Sequence, residues 1–174
     1  MVDVSLVSAV CSDAIRVLDE ALGHRVCGAV VSGAATLGFR GIRGEESPYE
    51  LTRRAVVAPM MGAIGYDEPT YTVAGEVRFD GSVLAVVPLN RPVGKPISEA
   101  LAFLRGHPDG HGIATNGFEW VLMDRGRRGP RVRLAVDMRP YYVEALDRSR
   151  FRAAVPADPS VAMLFVEAFG RAGS

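Results

Sequence analysis

The run Tyr71-Thr-Val-Ala-Gly-Glu-Val-Arg-Phe-Asp-Gly-Ser-Val-Leu-Ala-Val-Val-Pro-Leu89 reads as two strands folded on each other. Tyr71 to Phe79 and Ser82 to Leu89 are rich in β-branched and aromatic residues, and Asp80-Gly81 between them tolerates the positive φ of a tight two-residue turn. A second hairpin follows the same logic: Gly112 to Thr115, then Asn116-Gly117, then Phe118 to Met123. Gly126-Arg-Arg-Gly-Pro130 makes a basic turn into a third strand over Arg131 to Met138. There Val132, Leu134 and Val136 alternate with Arg131, Arg133 and Ala135.

Helical signals surround these strands. Leu6, Val7, Val10, Ala14, Val17, Leu18 and Ala21 recur at three- and four-residue steps over Val4 to Leu22, and Gly23 supplies a stop. Val26 to Val31 is short, apolar and β-branched, which predicts a strand, and Phe39 to Gly44 reads as a loop. Ser47-Pro48-Tyr49-Glu50 has the cap, the first-position proline and the reciprocal acid of a helix start. That helix is expected to reach about Ile64, with Pro59 kinking it. Asn90 to Pro96 reads as a loop, Ser98 as the cap of a short helix through Leu104, Arg139 to Leu146 as a helical turn or two, and Asp158-Pro159 as the start of a last helix to about Phe169. The order of elements implies a mixed α/β sheet with helices on its faces.

At 174 residues a single domain is the expectation, with 1–44 as a helix-strand extension, 45–138 as the core and 139–174 as C-terminal helices. The formal charge is zero, which argues against a protein that coats nucleic acid by bulk electrostatics and shifts attention to charge placement. All but one of the 20 basic residues are Arg, Lys95 being the exception; Gln is absent and Asn occurs only at 90 and 116. That bias fits a GC-rich genome, a thermophile, or both. Cys11 and Cys27 sit among apolar residues and read as small buried hydrophobes. Asp13, Arg16, Asp19 and Glu20 interrupt the N-terminal apolar segment, so neither a signal peptide nor a membrane span is expected, and a cytoplasmic protein is the simplest expectation.

Four segments in order resemble the N-terminal nuclease domain of type I restriction enzyme motor subunits, a branch of the PD-(D/E)XK or restriction-endonuclease-like fold. Glu50 to Tyr66 is similar to that family's first helix with its "P-L-L-x-x-L-G-Y" ending, and Asp80 to Val87 to its central hairpin. Asn90-Arg-Pro92 resembles the end of its "E-A-K-R-P" strand, and Thr115-Asn-Gly-Phe-Glu-Trp120 its "T-N-G-x-x-W" turn. The resemblance implies a restriction-endonuclease-like mixed sheet built on two hairpins. It also implies a site in which two carboxylates hold a divalent metal and a lysine orients water.

Aligned on Arg91-Pro92, the Glu and Lys positions that the resemblance implies fall on Pro88 and Asn90, and its first acidic position lies near Glu76. Proline has no side-chain ligand and asparagine only a neutral one, so a degenerate nuclease is expected that binds nucleic acid, DNA or RNA, or a nuclease partner without cleaving. No catalytic residue and no metal or other cofactor is assigned. Two alternatives stay open: a non-catalytic structural subunit of an oligomer, a homodimer included, and an active Mg-dependent nuclease whose site is rebuilt from Glu45, Glu46, Glu50 or Glu99. His107 and His111 are separated by Pro108 and Gly110 and read as a turn rather than a metal site. The candidate nucleic-acid contacts are Arg125, Arg127, Arg128, Arg131 and Arg133, with Arg139, Arg148, Arg150 and Arg152 behind them; Asp124, Asp137, Glu144 and Asp147 are the acids that can neutralise them.

Overall fold

The computed structural model describes residues 4–66, 76–79, 82–107 and 109–170. Helix α1 spans Val4–Leu22 and turns Val7, Cys11, Ala14, Leu18 and Leu22 into the core, one per turn. Gly23 ends it at φ 74°, its N–H bonded to Asp19 O at 2.8 Å. The chain then re-enters a helix, α2 at His24–Val31, where a strand is expected from the sequence. A run of six apolar residues carries no period of its own, and here Cys27, Val30 and Val31 share a helical face toward the core. On α2, a Cβ at Gly28 would lie 2.8 Å from Arg150 Nη1, so the glycine makes room for that guanidinium.

The capping box forms as the sequence implies: Ser47 Oγ accepts from Glu50 N–H at 3.2 Å and Glu50 Oε2 from Ser47 N–H at 2.9 Å. Helix α3 covers Pro48–Thr52 and α4 covers Ala58–Ala63. The expected kink takes the form of a π-helical turn at Arg53–Val57 just ahead of Pro59. Widening the helix there relieves the clash a proline makes with the carbonyl four residues earlier.

Among the described residues the sheet has five strands in the order β1-β2-β3-β4-β5: Glu76–Phe79, Ser82–Val86, Gly112–Thr115, Glu119–Gly126 and Gly129–Asp137. β1 and β2 are antiparallel with Phe79 opposite Ser82; Asp80-Gly81 and the expected strand residues 71–75 lie outside the described residues. β2 and β3 are parallel, joined through helix α5 at Gly94–Gly106, and β3, β4 and β5 are antiparallel neighbours. α5 starts earlier than expected. Ser98 lies inside it and donates its hydroxyl back to Gly94 O at 3.0 Å instead of capping.

Alternate strand residues build two cores. Leu84, Val86, Ile113, Trp120, Leu122 and Val136 face α1, α2, α3, α4 and two later helices, α6 at Arg139–Ser149 and α7 at Pro159–Phe169. Val83, Ala114, Val121 and Met123 face α5 through Ala100 and Leu104. At Gly112 a Cβ would sit 3.2 Å from Ala100 Cβ, so its absence lets α5 approach closely. Both cysteines are buried and free; burial pushes each thiol up to about 12. No helix among the described residues is long and apolar enough to cross a membrane.

Candidate functional site

β2 ends at Val86, two residues before Pro88. The last ladder bond runs from Val87 N–H to Thr115 O at 3.0 Å, and the chain then turns, with Arg91 N–H bonded to Pro88 O at 2.9 Å. Pro88 therefore lies beyond the strand, not inside a bulged central strand, and its missing N–H breaks no ladder bond. Glu76 is paired with Ala85, three residues short of Pro88, or roughly 10 Å along a strand.

Asn90 sits at φ 63°, a left-handed conformation that asparagine tolerates better than most residues. Its Nδ2 donates to Val30 O at 2.5 Å and Ala35 O at 2.7 Å, and its Oδ1 accepts from Arg139 Nη1 at 2.7 Å. Arg139 also lies 4.9 Å from the Phe118 ring centre. A side chain at the position where the resemblance implies an amine is thus a three-way clamp between α2, the loop after it and the start of α6. Next to it, buried Thr52 donates to Pro48 O at 2.8 Å and accepts from Leu89 N–H at 3.0 Å, holding the same turn from the other side.

The second asparagine is used in the same way. Thr115 pairs with Trp120, so residues 116–119 lie between the last paired positions, in place of the two-residue Asn-Gly turn expected from the sequence. Asn116 is buried; its Oδ1 accepts from Phe118 N–H and Glu119 N–H, and its Nδ2 donates to Arg91 O and Glu119 Oε2. Only Gly117 has positive φ, at 88°, and it packs against Leu89 and Val56. A type I′ turn needs positive φ at both positions; here the Asn side chain replaces that turn with its own hydrogen bonds. Trp120 Nε1 donates to Gly117 O at 3.1 Å, and its ring meets Phe165 and Phe169 edge-on.

The acids considered for a rebuilt site do not form one group: Glu46 and Glu50 line one cleft together with Arg53 and Arg54, and Glu99 is not among its lining. α3 and α5 lie on opposite faces of the sheet, which separates Glu46 and Glu50 from Glu99. Glu46 accepts two bonds from Arg54 at 2.8 and 2.9 Å, which hold its carboxyl below the ordinary value. Glu50 belongs to the capping box, Glu45 is exposed, and Glu99 reaches Lys95 at 3.6 Å. His107 is stacked on Phe103, ring centres 3.9 Å apart. Among the described residues no three His, Cys, Asp or Glu side chains form a group that could hold a metal ion.

The basic residues divide into two kinds. Arg125, Arg127, Arg128, Arg131 and Arg133 are all exposed on the β4–β5 hairpin. Arg127 and Arg128 occupy its tip, which frames a cleft of about 470 Å³ with Gly126, Pro130 and Arg131. A register shift between Leu122 and Met123 puts Val132 opposite Met123 and leaves Arg133 as the extra residue, so the strict alternation expected along β5 fails and Val132 is 47% exposed. In consequence Arg131 and Arg133 both reach Asp124, at 3.1 and 4.0 Å, while Arg125 lies opposite Pro130 on the next register position. One carboxylate thus faces two of the five guanidiniums.

Of the residues behind them, Arg139 and Arg150 are partly buried while Arg148 and Arg152 are exposed. Arg139 is held by Asn90; Arg148 pairs with Glu144 at 2.5 Å; Arg150 bonds Asp19 at 3.3 Å and the His24 carbonyl. At Asp19 burial raises the carboxyl, but hydrogen bonds from Cys27 and His24 and the charges of His24 and Arg150 outweigh it and hold the group below its ordinary 3.8. A folded-state value below the unfolded one contributes stability that is present above the ordinary carboxylate range and lost as pH falls through the folded value. Asp19→Asn is therefore expected to lower stability at neutral pH and to flatten its decline on acidification; urea midpoints followed from neutral to acid pH check this, and parallel curves for the two proteins would contradict it. Comparison of the chain with family models, with curated proteins and with solved structures found no match.

Proposed function

We propose that this chain is a degenerate restriction-endonuclease-like domain that binds nucleic acid through the β4–β5 hairpin without cleaving it. The carrying observation is that hairpin: five exposed guanidiniums on one two-stranded ribbon, with Asp124 bonded to only two of them. Guanidiniums so placed suit phosphate oxygens, and such contacts position a nucleic acid without reading its bases. The lack of cleavage is supported by Asn90, whose carboxamide is fully occupied by Val30, Ala35 and Arg139. A lysine there could not accept from Arg139 at all, and would leave the Val30 and Ala35 carbonyls without their donor if it reached for a phosphate.

Binding of a labelled duplex and of a single strand, followed by fluorescence anisotropy across a salt series, tests the proposal. Four or five phosphate contacts predict a log–log salt slope of about −4 on duplex DNA. Arg127→Ala with Arg128→Ala is expected to reduce that slope by about 2 and to weaken binding alike for unrelated sequences. Binding that ignores salt or these two substitutions overturns the hairpin as the interface. Cleavage in Mg²⁺ or Mn²⁺ that disappears in Glu76→Ala overturns the non-cleaving part.

A further inference from the structure

Helix α2 is bordered by guanidiniums on two sides. A Cβ at Gly23, just ahead of it, would lie 2.8 Å from Arg43 Nη2, and one at Gly28 would lie 2.8 Å from Arg150 Nη1. Residues 24 and 28 share one face of the helix, whereas residue 26 points roughly 200° away from residue 24. Arg150 lies on the first side, bonded also to the His24 carbonyl. The loop of residues 39–43 lies on the other, where a Cβ at Gly41 would sit 3.4 Å from Val26 Cγ1 and Arg43 N–H bonds Ala21 O at 2.8 Å. Arg25 stands between the two sides and is exposed.

Each border carries the same pair of residues, Phe39-Arg40 ahead of Gly41 on one side and Phe151-Arg152 after Arg150 on the other. Phe39 is 77% exposed and Phe151 100%. Phe151 holds φ 53° at the end of α6, where its N–H bonds Arg148 O at 3.1 Å and Arg152 N–H bonds Asp147 O at 2.9 Å, a corner most often occupied by glycine. A bulky side chain is strained there, and within the chain no burial offsets the strain. Among the described residues Arg25, Arg40, Arg43 and Arg152 make no ion pair, whereas the neighbouring Asp19, Glu20 and Glu144 are bonded to Arg150, Arg16 and Arg148. Only Asp147 and Glu45 are left close by in sequence to offset four guanidiniums.

We propose that this face binds single-stranded nucleic acid, with bases stacked on Phe39 and Phe151 and phosphates met by Arg25, Arg40, Arg43 and Arg152. Exposed rings beside arginines hold a strand by stacking and charge without regard to its sequence. Unpaired arginines on both sides of a helix favour a polyanion, and the rings favour one whose bases are open. A duplex keeps its bases stacked inside, out of reach of Phe39 and Phe151. A second copy of the chain fits less well, because pairing this face with itself sets arginine against arginine. The face is separate from the hairpin and does not rest on it: the face adjoins Arg139 through Gly33, and the β4–β5 tip is roughly 26 Å away along β5.

Fluorescence anisotropy is the test, with a labelled oligothymidylate, an abasic strand of equal phosphate number and a duplex, on the full chain carrying Arg127→Ala and Arg128→Ala to weaken the hairpin. The oligothymidylate is expected to bind, and Phe39→Ala and Phe151→Gly are each expected to weaken it about tenfold. The abasic strand and the duplex are expected to bind more weakly and to ignore both substitutions. Phe151→Gly is expected to melt at or above the parent temperature by relief of the left-handed strain, so that binding lost there reports the ring and not the fold. Phe39→Ala, in an exposed loop, checks this independently. No binding of the oligothymidylate overturns the proposal, as does equal affinity for the abasic strand or indifference to both substitutions. Phosphatidylserine vesicles that bind through Phe39 and Phe151 where the strand does not would overturn it in favour of a membrane surface.

Discussion

Asn90→Ala is expected to lower the unfolding free energy by about 3–5 kcal/mol. Alanine at φ 63° is disfavoured by about 1 kcal/mol. The larger part is the loss of three hydrogen bonds, which leaves the Val30 and Ala35 carbonyls and the Arg139 guanidinium without the partner they now share. Each such group costs about 1–3 kcal/mol where it is buried, and the half-buried setting keeps the sum toward the low end. Asn90→Gly separates the two contributions, since it relieves the backbone but restores no bond; it is expected to recover about 1 kcal/mol relative to alanine. Asn90→Lys, the residue the resemblance implies, is expected to destabilise like alanine and to bring no metal-dependent cleavage. Urea unfolding of the four proteins measures this, and a cost under about 0.5 kcal/mol for alanine would show that the clamp does not hold the fold.

Trp120→Ala is expected to cost about 3–5 kcal/mol, as for other large buried aromatics. Trp120 is fully buried, stands on β4, and touches Phe165 and Phe169 of α7, so its removal opens a cavity between the sheet and the last helix. The indole N–H also closes the Thr115–Trp120 turn through Gly117 O. Trp120→Phe keeps most of the volume but not that bond, and is expected to cost about 1–2 kcal/mol. Chemical denaturation gives both values. Equal losses for alanine and phenylalanine would mean that the hydrogen bond, and not the packing, is the important contribution.

Much of the local structure was legible in the chain because its causes are local. The period of α1, the Ser47/Glu50 capping box, Pro159 after Asp158 and the strand segments on either side of Asp80-Gly81 all depend on residues within a few positions of one another. The misread elements are those whose cause is distant. Val26 to Val31 is a helix because α1 and Arg150 make a place for one, and the Asn116-Gly117 connection is longer than expected because Asn116 bonds to Arg91 and Glu119. The bulge at Arg133 likewise has no marker in a strand whose alternation looks regular.

For the candidate site, the proline and asparagine at positions 88 and 90, where the resemblance implies an acid and an amine, were visible in the residue types, as was the cluster of arginines around the basic turn. A chain with only two asparagines held one further signal: both occupy corners where a carboxamide bonds several backbone groups at once. Residue types and spacings determined the α/β class, the capped helices and the absence of a lysine at position 90. Only the tertiary structure decided that Asn90 is a clamp, that Arg139 and Arg150 are partly buried while the hairpin arginines face outward, and that Glu50 and Glu99 lie across a sheet from each other. The reason is physical: side-chain chemistry and short-range periodicity are properties of neighbouring residues, whereas which charges meet depends on contacts between residues as far apart as Asp19 and Arg150.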